Sequence, residues 1–175
     1  MINSPQVEVV AVCGPPEMHS QTVIAALRAG KHVFVEKPLA LSLQECEAIS
    51  CEVDLSKGQI LTGMNMRWHR LAVLARSYIA AGALGEITAV HSLFAVPERR
   101  SYMAGWRAAP DKGGDLVNDL GIHHLDLLIF LLGSCYKSLF ASYSTNSHFA
   151  ESAAIHLNLE NGHQQTCSWF PALPR

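Results

Sequence analysis

The apolar positions of the chain show two textures, one before Gly63 and another after it. Val7–Val12 (VEVVAV) is a short run rich in β-branched residues, the pattern of a strand buried on both faces of a parallel sheet. It breaks at Gly14-Pro15-Pro16, and a helix is expected from Glu17 to Ala29, closed by Gly30. His32–Val35 (HVFV) reads as a second buried strand and ends in Glu36-Lys37-Pro38. Ser42 and Glu45 have the spacing of a capping box, which opens a helix running to Leu55. Gln59–Thr62 reads as a third strand. Strand, helix, strand, helix, strand at this spacing predicts a βαβαβ unit with a parallel sheet and right-handed crossovers.

Beyond Gly63 the periodicity changes. Trp68–Ala81 has a helical pattern punctuated by Gly82 and Gly85, and Ile87–Val96 alternates as a strand. A polar, irregular stretch follows, Pro97–Gly113. After a long apolar segment come three strand-like runs, Ser138–Ser144, Ala153–Leu159 and Gln165–Phe170, with Asn161-Gly162 as the hairpin turn between the last two. Helices on one face of an antiparallel sheet predict an α+β second domain. The boundary is placed between 64 and 65, so that 1–64 and 65–175 are separate domains.

The long apolar segment, Gly113–Gly133 (GGDLVNDLGIHHLDLLIFLLG), is the centre of the second domain. Glycines at both ends and an early acidic residue mark it as a capped helix. At about 100° per residue, Asp119, His123 and Asp126 fall within an arc of about 60° on one side. Leucines and isoleucines flank this stripe, and a helix apolar nearly all round is expected to be buried. Three titratable groups in line on such a helix must pair or work, because burying them idle costs too much desolvation. A local Asp119–His123 pair, with Asp119 favoured by the helix N-terminus, accounts for part of the pattern without any chemistry.

Composition narrows the class. The 175 residues are 49% hydrophobic and 16% charged, so the chain is globular, and a net charge of −2 speaks against nucleic acid or an anionic membrane as partner. The N-terminal Met1–Pro5 has neither the basic nor the apolar region of a secretory signal. The longest uninterrupted apolar run, Leu127–Leu132, is too short for a bilayer. Five cysteines, Cys13, Cys46, Cys51, Cys135 and Cys167, are odd in number and form no CxxC, which fits reduced thiols of a cytoplasmic protein.

Two residues outside the central helix carry candidate chemistry. Lys37 falls at the carboxyl end of a parallel strand, where open α/β sheets place ligands, and Pro38 holds it extended. It is read equally well as a desolvated proton carrier or as a surface lysine paired with Glu36. His19, on the first turn after Pro15-Pro16, either faces the same crevice or serves as a packing and capping residue.

At these residues the chain resembles a known family. Pro15-Pro16-Glu17-Met18-His19, Ala25–Val33 and Glu36-Lys37-Pro38 are similar to segments of the Gfo/Idh/MocA NAD(P)-dependent sugar and cyclitol oxidoreductases. Asn65-Met66-Arg67 and Gly105-Trp106-Arg107 resemble further segments, and Gly113–Gly133 resembles the second-domain signature, with Asp119 and His123 matching the catalytic Asp and His. The resemblance implies an α/β chain: a partial Rossmann domain (parallel βαβαβ), followed by part of an α+β domain with an open, largely antiparallel sheet. It implies NAD or NADP as cofactor, met by Pro15, His19, Glu36, Lys37, Asn65, Trp106 and Arg107. It also implies a sugar or polyol substrate and, in the complete protein, a homo-oligomer (dimer or tetramer) built on the open sheet.

In the implied mechanism Lys37 lies beside the nicotinamide and the substrate hydroxyl, commonly with a cis peptide to its proline. His123 carries the hydroxyl proton while hydride moves, and Asp119 orients the site. Lys37 and His123 are therefore expected to converge on one crevice. The chain departs from the family in having no GxGxxG turn, no acidic residue placed for a ribose and Gly14 where Thr is usual. On this reading it looks like the middle of a longer enzyme, with NAD(P) bound weakly or not at all by these residues alone and no turnover expected of them. Two other functions stay open: an NAD-dependent glycosidase of the same family, and a truncated, non-catalytic nucleotide-binding regulator. A metal hydrolase using Asp119, His123, His124 and Asp126 fails, because His124 points about 100° away from His123.

Overall fold

Three short apolar runs in the first sixty residues pair as parallel strands, and the helices between them cover one side. The computed structural model describes residues 2–97, 109, 112, 114, 117–146, 149–159 and 164–172. The chain divides into two units, Met1–Met64 with Gly105–Gly114, and Asn65–Ala104 with Asp115–Arg175. Within the first unit, Lys112 Nζ donates to the Glu17 carboxylate at 3.3 Å.

In the first unit β1 (Val9–Val12), α1 (His19–Arg28), β2 (His32–Val35), α2 (Leu43–Leu55) and β3 (Ile60–Thr62) form a parallel sheet of order β1-β2-β3. The expected helix from Glu17 begins as a 3-10 turn, Pro16–Met18, because Pro16 supplies a helical φ but no N–H. Ser42 caps α2 as anticipated: its hydroxyl accepts from the Glu45 N–H at 3.2 Å, and the Glu45 carboxylate accepts from the Ser42 N–H at 3.2 Å. Val10, Val12, Val33 and Val35 face Val23, Ala26 and Leu27 of α1 and Ile49 of α2 in one core. Each such fully buried aliphatic side chain stabilises the fold by about 1.5–3 kcal/mol over its exposed state.

The expectation of strands buried on both faces is corrected. Burial alternates along β1 and β2, with Val9 60% and Leu61 54% exposed on the other side. Both crossovers run in the same direction along the sheet, so right-handedness puts α1 and α2 on the same face.

In the second unit a 3-10 turn (Asn65–Trp68) leads into α3 (Arg70–Ala80) and β4 (Ala89–Pro97). A π-helical turn, Val117–Gly121, runs into α4 (Ile122–Leu132). The strands β5 (Tyr136–Asn146), β6 (Phe149–Leu159) and β7 (Gln164–Ala172) complete a sheet of order β4-β7-β6-β5. Its two later pairings are antiparallel and β4–β7 is parallel. The Asn161-Gly162 turn lies outside the described residues, while the strands on either side of it pair antiparallel, Asn158 opposite Gln164. Leu128 of α4 packs on Ala153, Ile155 and Leu157 of β6, with Val90 and Phe94 of β4 beside them.

The central helix differs from the expectation in two ways. It is not one regular α-helix, because its first described turn is π-helical, so the wheel of 100° steps holds only from Ile122 onward. It is also not buried all round: His124 and Leu128 are buried and the rest of α4 is half-buried. Gly133 closes it in the left-handed region at φ 62°, donating its N–H to the Ile129 carbonyl at 2.9 Å.

Candidate active site

The carboxyl ends of the parallel strands gather the first set of candidates. The Glu36 N–H donates to the Val12 carbonyl at 2.9 Å and the Gly63 N–H to the Val35 carbonyl at 2.7 Å, so the loops after β1, β2 and β3 start from one level. Gly63 has no side chain to separate them: a Cβ there would lie 3.1 Å from Phe34 Cζ and 3.5 Å from a Glu36 carboxylate oxygen. Pro15 and Glu36 are exposed, Lys37 is half-buried, and the Lys37–Pro38 peptide is cis, as the family resemblance implied. His19 is buried, its Nδ1 2.7 Å from the Pro38 carbonyl oxygen and its Nε2 2.9 Å from that of Gly14. A shallow depression of about 630 Å³ runs instead over the bare sheet face at Val9, Phe34 and Leu61, and none of these candidates lines it. Ligand recognition needs convergent polar groups, which gather at the strand ends, whereas the depression is lined mostly by apolar residues with His32 and Gln59 among them.

The second set stands at the head of α4. Asp119 is buried in the π turn, 6% exposed, and His123 is half-buried in the first turn of α4. π-helical turns cluster at functional sites, where they turn side chains out of the regular α register. Asp126, the third member of the stripe, accepts two hydrogen bonds from Arg67: Nε to Oδ2 at 2.7 Å and Nη2 to Oδ1 at 2.5 Å. That contact raises the Arg67 pKa above its already high ordinary value, against a smaller opposing effect of burial. Arg67 also lies over the Phe130 ring, 5.7 Å from its centroid, and Arg76 lies closer at 4.3 Å. On the other side of α4, His124 Nε2 shares a hydrogen bond with the Ser92 hydroxyl of β4, and Phe94 tilts against its ring at 5.6 Å. Burial lowers the His124 pKa, which favours the neutral ring.

Two family models match along the chain. Residues 1–62 match the oxidoreductase family with an NAD-binding Rossmann fold, and residues 73–174 match the GFO/IDH/MocA C-terminal domain. The chain belongs to the Gfo/Idh/MocA oxidoreductase family. It is 32% identical over 138 residues to the 1,5-anhydro-D-fructose reductase of Ensifer adhaerens, covering 75% of this chain and 40% of that protein. To the myo-inositol 2-dehydrogenase of Thermotoga maritima it is 29% identical over 146 residues, covering 82% and 42%. The crystal structure of an NAD binding oxidoreductase from Klebsiella pneumoniae superposes with a TM-score of 0.87 at 26% identity, covering 97% of this chain and 49% of that one. The chain thus spans about two fifths of the length of these curated relatives and about half of the solved chain.

As a Gfo/Idh/MocA chain it has the anticipated architecture, a parallel Rossmann-type sheet followed by a largely antiparallel one. Pro15, His19, Glu36 and Lys37 come together at the strand ends of the first unit. Asn65 is exposed at the start of the second unit, where Asp119 and His123 head α4. Trp106 and Arg107 lie outside the described residues. Sequence reasoning missed the Arg67–Asp126 fork and the Ser92–His124 contact. Arg67 was visible only as part of a family-like segment, and nothing in the sequence marked Ser92.

Proposed function

We propose that this chain carries the reacting part of an NAD(P)-dependent oxidoreductase acting on a hydroxyl or carbonyl carbon of a sugar, cyclitol or related polyol. The observation that carries the reading is the match of both family halves to a chain with Lys37 at the carboxyl end of β2 and Asp119 and His123 at the head of α4. The names of the relatives, a reductase of an anhydro sugar and a dehydrogenase of an inositol, support the polyol class. The strand ends support a place for the nicotinamide half of the cofactor: Gly63 lets the loops after β2 and β3 approach closely, a Cβ there meeting Phe34 Cζ at 3.1 Å, and Pro15 and Lys37 lie on the neighbouring loops.

Bound nicotinamide supplies the acceptor or donor of hydride. His123 takes or returns the proton of the reacting hydroxyl. By the family resemblance Lys37 supplies a cation that favours negative charge on the reacting oxygen. Asp119, buried beside the start of α4, orients the imidazole and supports its charged form. The family resemblance supports Pro15, Glu36, Asn65, Trp106 and Arg107 as cofactor-side residues, while the buried His19 shapes the loops beside Lys37 from within the first unit.

The outward face of the second sheet, with Leu93 60% and Phe140 68% exposed, is proposed to meet a second copy in a homo-oligomer. Among the described residues no helix is long and apolar enough to cross a membrane. With Cys13, Cys46, Cys51 and Cys135 all free, a reducing cytoplasm is the proposed compartment.

The test is NAD(P)H-linked turnover of the whole protein across inositols, anhydro sugars and aldoses. His123→Ala should lower kcat by about 10²–10⁴-fold, and Lys37→Ala and Asp119→Asn should slow the same step. Undiminished kcat in His123→Ala, or the absence of any nicotinamide-linked turnover, would overturn the assignment.

A further inference from the structure

Lys37 is bracketed by two backbone anchors. One residue before it, the Glu36 N–H is held by the Val12 carbonyl at 2.9 Å. One residue after it, the Pro38 carbonyl meets Nδ1 of His19 at 2.7 Å, and the far side of the same ring meets the Gly14 carbonyl at 2.9 Å. A carbonyl only accepts, so the charged imidazole donates to both, while the neutral ring donates to one and packs against the other. His19 is 1% exposed, so the ring itself is closed to bulk water while it reaches both carbonyls. His19 is itself the first residue of α1, whose Val23, Ala26 and Leu27 are locked in the core. One side chain therefore ties the loop after β1, the turn after β2 and the start of α1 into a single piece.

The position of a lysine ammonium is only as well defined as the backbone its flexible four-carbon stem springs from. The two anchors hold the backbone on either side of Lys37, and the later one is a side chain that the proton chemistry does not use. We propose that His19 is a positioning residue for Lys37: its ring is a buried strut that fixes the Pro38 carbonyl against the Gly14 loop and so aims the Lys37 side chain. The consequence for turnover rests on the proposed role of Lys37, whereas the consequence for Lys37 itself does not.

The test uses His19→Gln, which keeps one donor, and His19→Phe, which keeps the ring volume without either bond. Competitive acetylation of the folded chain, read by mass spectrometry, gives the rate of Lys37 relative to the exposed Lys57 across a pH series. Both variants should shift that ratio by about threefold or more, a part of the rotamer freedom a released lysine regains. A histidine that merely fills the core would lower the melting temperature and leave the ratio alone, and an unchanged ratio in a folded variant overturns the proposal. Should neither variant fold, the unsubstituted chain decides: scalar coupling from a His19 ring nitrogen to the Pro38 or Gly14 carbonyl carbon supports the strut, and its absence overturns it.

In the whole protein, His19→Gln should lower kcat by about ten- to a hundredfold, as misplacement of a reacting group does, and add nothing once Lys37 is Ala. A His19→Gln loss that persists in full without Lys37 overturns the positioning role. If Lys37→Ala itself leaves turnover unchanged, it is the reading of Lys37 as catalytic that fails, and the acetylation ratio alone then judges His19.

Discussion

Replacing Asp126 by Asn tests what holds α4 in place. The substitution keeps the shape and one acceptor oxygen but removes the charge that faces Arg67. The Asp126 side chain is 13% exposed and that of Arg67 is 40% exposed, so the pair is neither a surface bridge nor a buried one. Exposed pairs contribute about 0.2–1 kcal/mol, and breaking a fully buried pair costs about 3–5 kcal/mol. Two charge-assisted bonds with one partner half in water belong between, at about 1–2 kcal/mol of coupling. The lower part of the gap is favoured because a released guanidinium at 40% exposure turns into solvent instead of being stranded. For a chain of this size that corresponds to a fall in Tm of about 2–8 °C.

Arg67 also touches the Phe130 ring, so its own replacement removes more than the ion pair, and only a double-mutant cycle of Asp126→Asn with Arg67→Gln isolates the fork. Urea unfolding of the four proteins at low and high salt is the assay, with the coupling reduced but not abolished by 1 M salt, where the Debye length is about 3 Å. A coupling below about 0.3 kcal/mol would refute the reasoning, because it would make the fork no stronger than an exposed pair. If Asp126 serves instead to orient His123, three residues before it on α4, the cycle will read near zero. The NMR titration of His123 will then shift in Asp126→Asn.

Three further outcomes follow from local geometry. His124 has a lowered pKa, so above about pH 6.5 both folded and unfolded states are neutral there; as pH falls below that value the unfolded chain binds a proton first, and stability should drop by up to about 1.4 kcal/mol per pH unit until the folded ring protonates. His124→Phe should flatten that part of the stability–pH curve, and an unchanged slope would argue that another group is responsible. Gly58→Ala should destabilise by about 1–3 kcal/mol in denaturant titration, because its Cβ would lie 2.1 Å from the Lys31 carbonyl oxygen and backbone has to move; a neutral result would disprove the close approach. Burial, and then Glu45 and Glu47, raise the Cys46 pKa, so iodoacetamide at neutral pH should label exposed Cys13, Cys51 and Cys135 before Cys46, and early labelling of Cys46 would contradict this environment.

The elements were legible where their signals are local. The β-branched runs at Val7–Val12 and His32–Val35, the Ser42–Glu45 box and the closing Gly133 each act through neighbours within about five residues; the first strand starts two residues later than read, at Val9, and the others formed as read. What the pattern did not carry was which face of the strands α1 and α2 cover within these residues. VEVVAV is apolar enough for a strand covered on both sides, but coverage depends on where the crossovers send the helices, and both went to one face. The order of the second sheet is equally non-local: β4 lies beside β7, with Ala89 opposite Gln164, and no residue in either strand announces its partner.

The candidate site divides along the same line. That Lys37, Asp119 and His123 are unusual was readable from residue type and position alone. How labour is shared among the polar residues around them was not, because it is set by partners far along the chain. The helical wheel put Asp119, His123 and Asp126 on one stripe as equals. Folding gave them three environments: Asp119 in a buried π turn, His123 half-buried, and Asp126 engaged by an arginine 59 residues earlier. His19 and His124 were weaker candidates on paper, yet each is nearly or fully buried and joined to another element, 19 and 32 residues away. Placing a proton carrier within a fraction of an ångström takes more order than the carrier can supply, so its neighbours contribute that order with bonds of their own. Under the proposed role of Lys37, replacement of His19 should therefore alter the rate of chemistry more than the binding of either ligand.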